Sequence, residues 1–406
     1  MQKEPLRFHK YPVLSAGILC LLIFILVACG GGSGGSSSPA TNNHSASSNS
    51  SKDKSGGLDN GTSSAAIKLG NQPCPAAVSS PTHWDPIVPT QANLNKVESV
   101  TCANLLGVAD LQALVTVRSN GSASLDAYVY DKITSPSPTK VFMLMNLQKG
   151  DIKISGYNTL ITAEVDPTSS VNQGQANAGL TADLHREFKW SDGARTLVPV
   201  AFPGLFPDTT RYAAEADQQD VNQGHQPWKL DAGQVAVAFA DNVKLLQWTN
   251  NAQASVVSGG GQHDENAVVN VKSPYAGAGT IKVSMSRLEN NANGGIWIVT
   301  DVTTDGMSIS TPVKNDGVHS PVAVSGKGNA FEGRIGKIFV LNHLYDAVGN
   351  VGVTGSPGNG NATFSVNVPY SGTFRGGAED GLVVLYSYSN ADGTISGVAV
   401  VKVLLG

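Results

Sequence analysis

Alternation of apolar and polar positions is the commonest local pattern in this chain. Ala113 to Val117, Leu125 to Tyr130, Lys140 to Met145, Ile152 to Ile154, Thr159 to Val165 and Arg195 to Val200 read as strands. The reason is that an extended chain turns successive side chains to opposite faces. The pairs Asn120-Gly121 and Asp192-Gly193 mark turns between them, and Pro167 to Gly179 reads as polar loop. The pattern over 74–205 predicts one β-rich domain. It then changes. Thr209 to Val221 and Asp231 to Trp248 read as helices, the second with Val235, Phe239, Val243 and Leu246 at helical spacing. Strands are predicted again at 267–271, 280–288 and 295–303. From 307 to 406 seven strands are predicted, 307–312, 321–326, 333–341, 350–355, 362–368, 381–389 and 397–405. Turn signals spaced about 8–12 residues apart are the rhythm of a β-sandwich.

The start of the chain follows another pattern. Lys3, Arg7 and Lys10 precede an apolar run from Val13 to Ala28. That run is shorter than the ~20 residues of a spanning helix and fits a secretory signal. It ends in Leu26-Val27-Ala28-Cys29, followed by three glycines. These residues resemble the lipobox of bacterial lipoproteins. The resemblance implies cleavage after residue 28, a diacylglyceryl group on Cys29 (a palmitate-type anchor) and residence at the outer face of the cytoplasmic membrane. Residues 29–70 are then a Ser/Gly/Asn tether, too poor in large apolar side chains to offset the entropy of ordering.

Composition narrows the function classes. The chain has 406 residues, 14% of them charged, with 45 glycines and a net charge of −4. Nucleic acid is not expected as a partner, because phosphate neutralisation needs a cationic surface. A polytopic membrane protein would show several long apolar runs. Of the four cysteines, Cys20 leaves with the signal and Cys29 takes the lipid. Cys74 and Cys102 remain as an even pair in an oxidising compartment. A disulfide between them is the expectation, and two buried free thiols are the alternative. It would tie down a Pro-rich leading segment.

The two helices followed by a meander resemble part of an α+β roll of the nuclear-transport-factor-like or cystatin-like kind over 206–304. The stretch from Phe206-Pro207 to Leu230-Asp231 is also similar to one found in envelope lipoproteins. His319-Ser320-Pro321, a short strand, and Asn329-Ala330-Phe331-Glu332-Gly333 resemble the immunoglobulin-like domain of bacterial spore germination. Phe364 and Ser389-Asn390-Ala391-Asp392-Gly393 extend that resemblance across 307–406. It implies an Ig-like β-sandwich and leaves function open, since fold does not carry function. The fold class expected is therefore mainly β and multi-domain, with an α+β centre.

Candidate chemistry is sparse. The eight histidines show no HxH, HExxH or HxxxH spacing, so no metal site is written locally, and no cofactor or catalytic residue is expected. His263-Asp264-Glu265 reads as a solvated loop, and Asp183-Leu184-His185-Arg186-Glu187 as a charged strand or turn edge. Glu332 is the one candidate binding residue. Its expected role is structural, with Phe331 packed under the sandwich and Glu332 accepting backbone N–H bonds at a strand start; a ligand contact is the alternative. Trp190, Trp228, Trp248 and Trp297 are expected as core anchors. The function expected is non-catalytic binding or scaffolding at the envelope, with an envelope protein or the cell wall as partner and a link to sporulation or germination implied by the resemblance. A carrier of a small apolar ligand in the central segment is the alternative, and an envelope hydrolase the third reading.

Overall fold

The computed structural model describes residues 66–406, apart from 91–94, 122, 243, 249–250, 276–278, 373 and 375. The expected signal, Cys29 and nearly all of the expected tether lie outside the described residues. The described residues belong to one compact unit. Among the described residues no helix is long and apolar enough to cross a membrane.

The first half is two antiparallel meanders. β1 (Asn95–Ala103), β2 (Gln112–Ser119), β3 (Ser124–Asp131) and β4 (Thr139–Gln148) pair in sequence order. So do β5 (Asp151–Ile154), β6 (Leu160–Glu164), β7 (Leu184–Ser191) and β8 (Thr196–Val200). Leu114, Leu125, Val129 and Leu147 of the first sheet share a core with Ile154, Leu160, Phe188 and Leu197 of the second. The opposite face of the first sheet, with Ala113, Val115 and Tyr128, is covered by the leading segment through Val78 and Trp84. β2 is therefore buried on both faces, which is why its apolar run is nearly continuous.

The cover is held covalently: Cys74 is disulfide-bonded to Cys102 of β1. Trp84, in the short helix α1 (Pro81–Trp84), is fully buried, and its indole N–H donates to the Val78 carbonyl at 2.8 Å. β1 and β7 were not among the strands predicted from alternation. β1 is mostly polar and carries a bulge between Val97 and Ser99 that breaks its period. β7 carries Arg186 and Glu187, charges that the fold pairs with Glu164 and Arg211.

In the second half, α2 (Arg211–Asn222) and α3 (Ala232–Asp241) are capped by Thr210 and Asp231, whose side chains accept from the N–H groups of Ala213 and Gln234. α3 lies across a meander of β9 (Gln253–Gly259), β10 (Asn266–Lys272), β11 (Thr280–Arg287) and β12 (Trp297–Thr304). The second helix ends at Asp241, short of the predicted Trp248. Leu245, Leu246 and Trp248 are all buried in one core, and a straight continuation would spread them around the helix.

The C-terminal segment contains β13 (Ser308–Thr311), β14 (Gly317–Val318), β15 (Val322–Ala330), β16 (Arg334–Leu341), β17 (Ala347–Thr354), β18 (Gly360–Val368), β19 (Glu379–Tyr388) and β20 (Ile395–Leu405). β13, β15 and β18 form one layer. The facing layer is β17-β16-β19-β20, and it continues through β12 into β11, β10 and β9. The join is the antiparallel bridge Thr303↔Ala399. Residues 206–304 and 307–406 thus share one sheet. β19 presents Val383 and Leu385 to the sandwich core and Leu382 and Val384 to the core under α3, so it too is apolar without alternation.

Candidate functional site

Glu332 lies in the turn between β15 and β16. It has φ +50° and Gly333 has φ +79°, so both central residues of this two-residue hairpin are left-handed. Phe331 and Arg334 close the turn with reciprocal backbone hydrogen bonds of 2.9 and 3.0 Å. The Glu332 N–H donates to Asn359 Oδ1 at 2.9 Å, and Glu332 is exposed. The expected packing of Phe331 under the sandwich is corrected: Phe331 is 56% exposed. Along β15 the inward positions are Val322, Val324, Gly326, Gly328 and Ala330, so period two sends Phe331 outward.

Phe331 borders an open groove of about 1020 Å³. Tyr388, 39% exposed, and Met307 add apolar surface there, and Arg334 and Lys337 add positive charge. Gly336 forms part of its lining, and Thr280, Thr304 and Asp305 contribute from the ends of β11 and β12. The groove therefore lies between the sandwich and the tip of the central meander.

A second feature is buried. His343 meets Asp183, about 160 positions earlier at the start of β7, and Glu379 at the start of β19, separations at which only folding, not local spacing, can join groups. Asp183 Oδ2 is 3.4 Å from His343 Nε2, and His343 Nδ1 is in direct contact with Glu379 Oε2. The three side chains are 5%, 2% and 2% exposed. Burial by itself would lower the His343 pKa; hydrogen bonds to Asp183 and Glu379 and their charge outweigh it and push the value up to about 9. Asp166 adjoins the group.

A neighbouring network runs from β7 to α2 and on to the turn after β11. Arg211 Nε donates to Glu187 Oε1 at 2.7 Å, and Thr159 donates to the same oxygen at 2.7 Å. Arg211 Nη1 reaches Glu289 at 3.1 Å. Burial, and then the hydrogen bond and charge of Glu289, push Glu215 up to about 8. Arg211, Glu187 and Glu289 line a smaller cavity of about 330 Å³.

The remaining sequence candidates separate. His263 is exposed in the β9–β10 turn, where Asp264 Oδ2 accepts from the Gly261 N–H at 2.8 Å. His185 stacks on Tyr212 at 4.9 Å between ring centroids, and burial lowers its pKa. Trp248 and Trp297 are fully buried, whereas Trp190 and Trp228 are only partly so. His343 and Glu379 were not singled out from sequence. Nothing local marks them, because their partners are remote in the chain.

A comparison with protein-family models finds none that matches this chain, and a comparison with curated proteins finds no significant match.

Proposed function

We propose that this chain is a non-catalytic binding or scaffolding protein of the bacterial envelope, held at the outer face of the cytoplasmic membrane by a lipid on Cys29. In this reading residues 29–70 are its tether, and the C-terminal segment is an Ig-like interaction module of the spore-germination type. The observation that carries it is the groove beside Phe331. A single exposed apolar side chain is ordinary. Here Phe331, Tyr388 and Met307 share one concave surface with Arg334 and Lys337, the mixture of aromatic anchors and cations that recognition surfaces favour. Burying a side chain such as Phe331 against a partner is worth roughly 1.5–3 kcal/mol. The two-layer arrangement over 307–406 supports the sandwich reading, and α3 lying across a four-stranded meander supports the roll. The partner proposed is an envelope protein. Sporulation or germination is a narrower form of the same reading and rests on the resemblance of residues 319–333.

A carrier role has less support, because Val235, Phe239, Trp248 and Trp297 fill the space between α3 and the meander. A hydrolase has less still, since the Asp183–His343–Glu379 group is enclosed rather than open to a substrate.

Two measurements test the proposal. Intact mass and detergent partitioning of the native chain and Cys29→Ala test the anchor: a diacylglyceryl mass on residue 29, lost in the variant, is expected. An unmodified chain that keeps residues 1–28 overturns it. Retention of the folded part on isolated envelope proteins and on purified wall, with and without Phe331→Ser/Tyr388→Ser, tests the groove. Loss of protein binding with unchanged melting is expected; equal retention removes the groove, and binding to wall alone replaces the proposed partner.

A further inference from the structure

Three acidic side chains and one imidazole converge where the second sheet meets the C-terminal sandwich. Asp166 and Asp183 bracket the long β6–β7 connection, His343 sits in the β16–β17 turn, and Glu379 opens β19. One oxygen of Asp166, one ring nitrogen of His343 and one oxygen of Glu379 all lie within 4.8 Å of one another, and all three residues are buried. A point common to three such atoms is at most about 2.8 Å from each, so the side chains would close in by up to ~0.6–0.8 Å to reach the ~2.0–2.2 Å bonds of zinc to nitrogen and carboxylate oxygen.

The second observation concerns Asp166. It is fully buried, and its two oxygens are treated differently. Oδ1 accepts from the Thr168 N–H at 2.8 Å and the Thr168 hydroxyl at 2.7 Å. Oδ2 is enclosed and has no hydrogen-bond partner among the described residues. An enclosed anionic oxygen without a donor is costly unless a cation meets it. The surroundings hold the carboxylates in place. Asn172 Nδ2 donates to the Asp166 carbonyl at 3.0 Å, to the Thr181 carbonyl at 2.9 Å and to Asp183 Oδ1 at 2.8 Å. Asp183 Oδ2 faces His343 Nε2, the nitrogen opposite the one that touches Glu379. A carboxylate on the far nitrogen is how metal-bound imidazoles are oriented.

We propose that Asp166, Glu379 and His343 Nδ1 bind one divalent transition-metal ion of the zinc class, with Asp183 as the positioning residue on His343 Nε2. One imidazole and two carboxylates suit zinc better than calcium or magnesium, which take oxygen ligands throughout. The ion pins the β6–β7 connection to the β16–β17 turn and β19, joining the second sheet to the sandwich.

The test uses the untagged full chain in detergent, stripped with a chelator, and titrates it with zinc by calorimetry alongside a thermal melt. Binding of one zinc per chain and a rise in melting temperature are expected. Asp166→Asn is the decisive variant: it removes the unpartnered charge, so it should fold and melt no lower than the stripped parent, yet lose the zinc-induced rise. Asp183→Asn should still bind zinc, about 10–100-fold more weakly. Should stripped parent take up no zinc, or Asp166→Asn bind it as tightly as the parent, the site does not exist. Equal binding of calcium or magnesium would overturn the metal class, and unchanged affinity in Asp183→Asn would overturn its positioning role.

Discussion

Arg211 donates to Glu187 across the junction between α2 and β7, at 2.7 Å and with side chains only 9% and 6% exposed. This pair links the β-rich first half to the helical segment. Removing one partner of a buried pair leaves the other charge uncompensated, at roughly 3–5 kcal/mol. Arg211→Met should therefore destabilise strongly, the more so because Glu289 loses the same cation. Arg211→Met/Glu187→Gln should recover part of the loss. Urea midpoints of the two single variants and the double variant measure this; additive effects would mean that the pair is not coupled.

Glu215 sits beside Glu289, and its Oε1 accepts from the Gly156 N–H at 2.8 Å. Its pKa is raised from 4.5 to about 8, so the folded chain favours the protonated form. The sign follows by linkage. The contribution is present in full below the ordinary value and is lost as pH rises through the folded one. The stability difference between the parent and Glu215→Gln should therefore change across about pH 4.5 to 8 and level off beyond it. Urea denaturation of both proteins at a series of pH values checks this, and parallel curves would refute it.

Cys74 and Cys102 close an interval of 28 residues. Loop-closure entropy over that length is worth about 3–4 kcal/mol. Cys74→Ala/Cys102→Ala should lower stability by about that amount. Its first effect should be local, raising hydrogen exchange in β1 and β2, since the leading segment covers that face. Exchange that rises equally everywhere would argue against a local cover.

Gly336 lies in the groove lining, where β16 runs against β19. A Cβ there would collide with the Tyr386 carbonyl oxygen, a backbone atom that cannot swing aside. Gly336→Ala should cost about 1–3 kcal/mol. It should also weaken any ligand of the groove, whereas Gly317→Ala in β14, away from the groove and where a Cβ meets nothing within 4 Å, should do neither. Thermal melts and binding assays of the two variants compare directly.

Much of the fold was legible in the sequence by itself. Each of the seven strands predicted over 307–406 has a counterpart, and the two predicted helices, starting at Thr209 and Asp231, begin within a residue of their caps, because period is a local property written in adjacent residues. The Cys74–Cys102 disulfide was the expectation once Cys20 and Cys29 were set aside, with two free thiols as the alternative, and the structure has it. Only the tertiary structure decided that β12 pairs with β20, that His343 meets Asp183 and Glu379, and that Phe331 faces outward beside Tyr388. These depend on partners far apart in the chain, and nothing local marks such a partner. β7 shows the reason most plainly. Its charged residues look like a solvated edge until Glu164 of β6 pairs with Arg186 and Arg211, from a helix that follows, pairs with Glu187.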